Sequence, residues 1–135
     1  MAWVVDSCVV IDIAINDPAF GRASAHCLQS RLRHGLVICP ITHVEIAPVF
    51  DGDRTLQERF LEDAGIDWTE PWVSADTELA HKLWANCLLK RRQRNMRRRP
   101  IADVLIGAFA RFEGLITRNT DDFRRLCPDL KLIRP

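Results

Sequence analysis

The chain has no Cys-x-x-Cys pair, and its five cysteines, Cys8, Cys27, Cys39, Cys87 and Cys127, are odd in number and widely spaced. That argues against a disulfide framework and for buried thiols in a reducing compartment. No stretch approaches the ~20 apolar residues of a membrane-spanning helix, so no membrane contact is expected. The first residues carry no basic segment, and Asp6 and Asp12 interrupt their apolar run. No signal peptide is therefore expected, which points to the cytoplasm. Repeats, low-complexity tracts and linkers are missing, and so is a Gly-rich phosphate loop. His43-Val44-Glu45 matches the His-x-Glu of zinc deaminases, but the Pro-Cys-x-x-Cys that chemistry also needs is absent. Residue 8 is a thiol rather than an acid, so Asp6-Ser7-Cys8 is not the Asp-x-Asp of aspartyl-phosphate phosphatases. No Cys/His/Asn set supports a cysteine nucleophile.

What is present is a chain of 135 residues, 47% hydrophobic and 27% charged, which is long enough for one domain over residues 1–135 with a real core. The charge is unevenly divided. Seven of the nineteen basic residues fall in residues 90–99 with no acid among them, so a chain of net charge +1 carries −6 over its other 125 residues. A concentrated cationic segment on a mildly acidic body suits a polyanion, because neutralising phosphates releases condensed counterions. The plainer alternative is a solvated basic helix end.

Val4-Val5-Asp6-Ser7 reads as a short buried strand over residues 3–5 with a carboxylate at its tip. Helices are expected over 8–16, 23–34 (closed by Gly35), 42–50, 55–63, 74–93 and 101–113 (closed by Gly114), with a helical turn at 121–126. Thr42 to Glu45 has capping-box spacing, and Pro100 suits a helix start. Strands are expected at 36–39, 66–72, 115–117 and 130–133, and residues 94–99 form a basic loop. Strand and helix alternate, which favours a three-layer α/β/α arrangement around a central, mainly parallel sheet of four to five strands. In such sheets ligands bind beyond the carboxyl ends of the strands.

That edge collects acids. Asp6 leaves the first strand, Glu45 follows the second, Asp103 opens the helix before residues 115–117, and Asn119, Asp121 and Asp122 leave that strand. Converging carboxylates repel unless a cation neutralises them, and oxygen-only ligands suit Mg²⁺ or Mn²⁺ rather than zinc. Each acid also has a plain reading. Glu45 would complete a capping box, and Asp103, Asp121 and Asp122 would complement helix dipoles. Asp6 has no such account. Trp3, Trp68, Trp72 and Trp84 read as core rather than base-stacking platforms, and His26, His34 and His81 lack ligand spacing. Leu28, Leu32 and the face from Val44 to Phe50 are either core or a subunit contact.

Four stretches together resemble the PIN-domain ribonucleases, and closely the VapC toxins of bacterial type II toxin–antitoxin pairs. They are Val4-Val5-Asp6-Ser7, Thr42-His43-Val44-Glu45-Ile46, Ile101-Ala102-Asp103-Val104-Leu105-Ile106-Gly107-Ala108 and Thr117-Arg118-Asn119-Thr120-Asp121-Asp122-Phe123. The resemblance spans the chain in the family's order and spacing. Two positions depart from it: Cys8 stands where a small polar residue is usual, and Asn119 where some branches have aspartate. An amide is the weaker ligand, which favours Asp122 as the fourth acid and leaves Asp121 toward solvent.

The resemblance implies an endoribonuclease that uses Mg²⁺ or Mn²⁺, leaving a 5′-phosphate and a 3′-hydroxyl. Asp6 and Asp103 would hold the ion directly. Glu45 and Asp122 would complete the site, with Ser7 and Asn119 supporting it. Arg94, Arg97, Arg98 and Arg99 would grip the RNA backbone, positioning rather than reading sequence. A small antitoxin and a homodimer are the implied protein partners. The alternative is a non-catalytic RNA-binding or regulatory module on the same fold.

Overall fold

In a computed structural model the described residues are 1–94 and 101–135, with backbone alone over 88–94. Five parallel strands make one sheet: β1 Trp3–Val5, β2 Leu36–Val37, β3 Ile66–Asp67, β4 Gly114–Ile116 and β5 Leu132–Ile133. Their order is β3-β2-β1-β4-β5, which puts β1 at the centre. Trp3 lies beside Leu36 on one flank and Gly114 on the other. The connecting helices are α1 Ser7–Ala14, α2 Gly21–Arg31, α3 Pro40–Glu45, α4 Arg54–Asp63, α5 Ser74–Arg94, α6 Ile101–Phe109 and α7 Thr120–Leu126.

The period-two rule of a strand divides the core into layers. Val5, Leu36, Ile38 and Ile116 point to one face, where α1, α2 and α4 bring Val9, Val10, Leu28 and Leu61. Val4, Val37, Cys39 and Leu115 point to the other, under Ile106 and Phe109 of α6 and Phe123 of α7. Beyond α6, Ala80 of α5 meets Val104 and Ala108. The expected α/β/α sandwich is thus present, its sheet wholly parallel. Leu28, Ile46 and Phe50 belong to the core, while Leu32 and Val44 stand exposed. Trp3, Trp68, Trp72 and Trp84 all pack against core residues. No helix among the described residues is long and apolar enough to cross a membrane.

Several elements are shorter than their patterns predict, each for a local reason. The helix expected over 42–50 starts earlier, with Pro40 in its first turn, and breaks after Glu45; a 3₁₀ turn, Ala47–Phe50, follows. Pro48 has no N–H to offer the Val44 carbonyl, so the α-helical ladder stops there. Thr42 is therefore inside the helix, and its buried hydroxyl makes no capping box with Glu45. The strand expected over 66–72 is two residues long. The Asp67 carboxylate accepts from the Thr69 N–H at 2.8 Å and turns the chain. The helix expected over 101–113 ends at Phe109, because the Glu113 N–H donates to the Ala2 carbonyl and draws the chain into the sheet. Gly114 therefore opens β4 instead of closing α6; a Cβ there would meet the Trp3 ring at 2.8 Å and the Lys131 carbonyl at 2.5 Å. Pro100 and residues 95–99 lie outside the described residues.

Candidate active site

The carboxyl edge of the sheet is built around Asp6. It ends β1 and is the N-cap of α1, its Oδ1 accepting from the Ser7 N–H at 2.8 Å. Its Oδ2 accepts from the Thr117 hydroxyl at 2.6 Å and from the Cys8 thiol at 3.4 Å. The Thr117 oxygen in turn accepts from the Asn119 N–H at 3.0 Å. Burial, then the Asp6 charge, push the Cys8 thiol up to about 12. At neutral pH the thiol thus keeps its proton and can donate it to the carboxylate. The departure at position 8 still supplies a hydrogen bond.

Three aspartates among the described residues are buried: Asp6, Asp12 and Asp76. Asp12 pairs with Arg118, and Asp76 with Arg111. Asp6, at 2% exposure, has neutral donors and no cation among the described residues. A buried carboxylate left without counter-charge is costly, and the two other sites show how this fold meets that cost.

Glu45, at the end of α3, is exposed but stands within electrostatic reach of Asp6. Partial burial raises its pKa, the Asp6 charge raises it further, and a hydrogen bond from Ser7 opposes both. The Ser7 hydroxyl also lies 3.4 Å from Asp6 Oδ1. Asp6, Ser7 and Glu45 are therefore brought together. Asp103 is in the first turn of α6, which packs against α3; its charge helps to raise the Cys127 thiol, after burial. Asp121 and Asp122 lie in the first turn of α7 and form surface pairs with Arg124 at 3.3 Å and Arg125 at 3.6 Å. Asn119 acts through its backbone N–H, and its side chain makes no cap for α7. No three His, Cys, Asp or Glu side chains among the described residues are close enough to share a metal ion. The assembled acidic feature is the Asp6–Glu45 pair. Two carboxylate donors fit Mg²⁺, which commonly takes one or two protein carboxylates and fills its other positions with water and phosphate oxygens.

Thr117 escaped the sequence reading, which assigned Asp122 and Asn119 from that stretch. The Asp12–Arg118 pair escaped it too, although Asp12 was visible as a charge inside an apolar run. Arg97, Arg98 and Arg99 lie outside the described residues, as does the side chain of Arg94.

This architecture is a PIN-like α/β fold. Among solved structures it is similar to a chain in the crystal structure of VapBC2 from Rickettsia felis bound to a DNA fragment from their promoter. The likeness covers 99% of this chain and 98% of that one, with a TM-score of 0.72 at 16% identity. No protein-family profile matches the chain. No curated protein matches its sequence either.

Proposed function

We propose that the chain is a metal-dependent endoribonuclease toxin of the VapC type. The observation that carries this reading is Asp6: a buried carboxylate, oriented by three neutral donors and with no cation among the described residues, beside a second carboxylate whose proton affinity it raises. Asp6 and Glu45 would hold Mg²⁺ or Mn²⁺, and Asp103 and Asp122 are proposed to complete the site through bridging waters. A bound divalent ion supplies a water of lowered pKa and offsets charge on the scissile phosphate.

The chain's own residues prepare that site. Ser7, Cys8 and Thr117 leave Asp6 little freedom to rotate, so its remaining lone pairs keep one direction. Ser7 and Glu45 flank it. Arg94, Arg97, Arg98 and Arg99 are proposed to hold the RNA backbone, since their segment precedes Asp103 by only a few residues. A small antitoxin is the proposed protein partner. It would cover the acidic edge with a cationic side chain, and the toxin would act as a homodimer. Cys8 and Asn119, the two departures from the family pattern, are the residues that would favour the non-catalytic alternative. Both instead serve the carboxylate, Cys8 directly and Asn119 through Thr117, which favours the enzyme.

The test is cleavage of an RNA panel by the wild type and Asp6→Asn, with and without EDTA. Cleavage by the wild type should fall at least about 100-fold with either change. Activity that survives both would overturn the reading.

A further inference from the structure

Arg118 sits between Thr117, which holds Asp6, and Asn119, whose N–H holds Thr117. Its guanidinium makes a forked bond to Asp12 on α1, Nε to Oδ2 at 2.7 Å and Nη2 to Oδ1 at 3.0 Å. Ser24 of α2 donates to the same carboxylate at 3.2 Å, and the guanidinium lies 4.1 Å above the Phe20 ring. Asp12 is on the helix that Asp6 itself caps. The contacts therefore close a circuit: Asp6 caps α1, α1 carries Asp12, Asp12 holds Arg118, and the residues flanking Arg118 return to Asp6.

We infer that the Arg118–Asp12 pair is a positioning device for Asp6 and not only a structural ion pair. The inference rests on the nuclease reading above. A threonine hydroxyl has one proton to donate. When its oxygen accepts from the Asn119 N–H, that proton is left for Asp6. The donating N–H belongs to the peptide unit that joins Arg118 to Asn119, so the setting of Arg118 aims it. Thr117 is held on its other side by its own N–H, which donates to the Ile133 carbonyl at 3.0 Å. The Thr117 hydroxyl also lies 3.8 Å from the Cys8 sulfur. The shortest of the donor contacts on Asp6, that of Thr117, thus depends on where Arg118 stands. Its fork fixes that position in two directions, as a single ammonium could not.

The molecule contains its own control. Arg111 grips the buried Asp76 at the start of α5, outside this circuit. Breaking either pair uncovers a buried aspartate, so both Arg118→Met and Arg111→Met should lower the melting temperature. Only Arg118→Met should touch Asp6. Assayed well below both melting temperatures, it should lose about 10-fold or more in kcat with an unchanged KM for RNA. Calorimetric titration of the protein alone with Mn²⁺ should show weaker binding. Arg111→Met should keep both kcat and Mn²⁺ affinity, and Arg118→Lys should recover only part of kcat. If Arg118→Met does not fold, Asp12→Asn and Arg118→Lys carry the same comparison. Equal kcat losses in the two arginine variants, or none in Arg118→Met, would overturn the inference while leaving the nuclease reading intact. A wild type that neither cleaves RNA nor binds Mn²⁺ would overturn that reading instead.

Discussion

At the scale of single residues, what distinguishes Asp6 is the mismatch between its burial and its partners. Asp12 and Asp76 are as deeply buried, and each holds an arginine. Asp6 holds hydroxyl, thiol and amide donors instead. Its neighbour Glu45 carries the consequence as a pKa above the ordinary 4.5, from burial first and from Asp6 second. The sign of the resulting pH effect follows. A folded state that binds the Glu45 proton more tightly than the unfolded chain loses stability as pH rises from 4.5 through the raised value. In EDTA, urea midpoints should therefore fall over that window, and Glu45→Gln should flatten the fall. Added Mn²⁺ should stabilise the wild type more as pH rises, because the ion prefers the ionised pair. A wild-type profile identical to that of Glu45→Gln would refute the coupling.

At the scale of elements, the site depends on how closely α6 and α7 approach. Gly107 faces Cys127 so tightly that a Cβ at 107 would clash with the sulfur, while Phe123 packs into the same core. Replacing Gly107 by alanine should cost about 1–3 kcal/mol through overpacking. Pairing it with Cys127→Ala should recover most of that in a urea melt. Equal stability of Gly107→Ala and the wild type would show that the thiol turns aside freely. The same scale shows why the elements differ from their patterns. Apolar spacing located each helix and strand, but it carries no signal for the Val44 carbonyl that Pro48 leaves without its helical donor, or for the Glu113 N–H that the Ala2 carbonyl captures. Those boundaries were set by hydrogen-bond partners distant in sequence or by one missing donor.

At the scale of the whole molecule, the division of charge sets the expected behaviour toward RNA. An acidic body repels a polyanion, so the proposed grip falls to the basic run. Replacing Arg97, Arg98 and Arg99 by alanine should weaken RNA binding at low salt. It should also reduce the slope of log affinity against log salt by about 2, the value for three lost single-strand phosphate contacts. An unchanged slope would assign the run to another role. The central place of β1 in the sheet explains why its tip is the focus, since loops from β2 and β4 flank it on both sides.

The sequence by itself determined the layer order, the parallel sheet and the place of Asp6 at its carboxyl edge. These follow from hydrophobic period and strand–helix alternation, which are local and additive along the chain. Only the tertiary structure decided which acids have counter-charges. Asp6 and Asp12 look alike in sequence, two charges six residues apart in one apolar run. Arg118, more than a hundred residues later, reaches one of them and leaves the other to neutral donors. A side chain's electrostatic partner depends on where the folded chain returns, and no residue pattern near Asp6 records that.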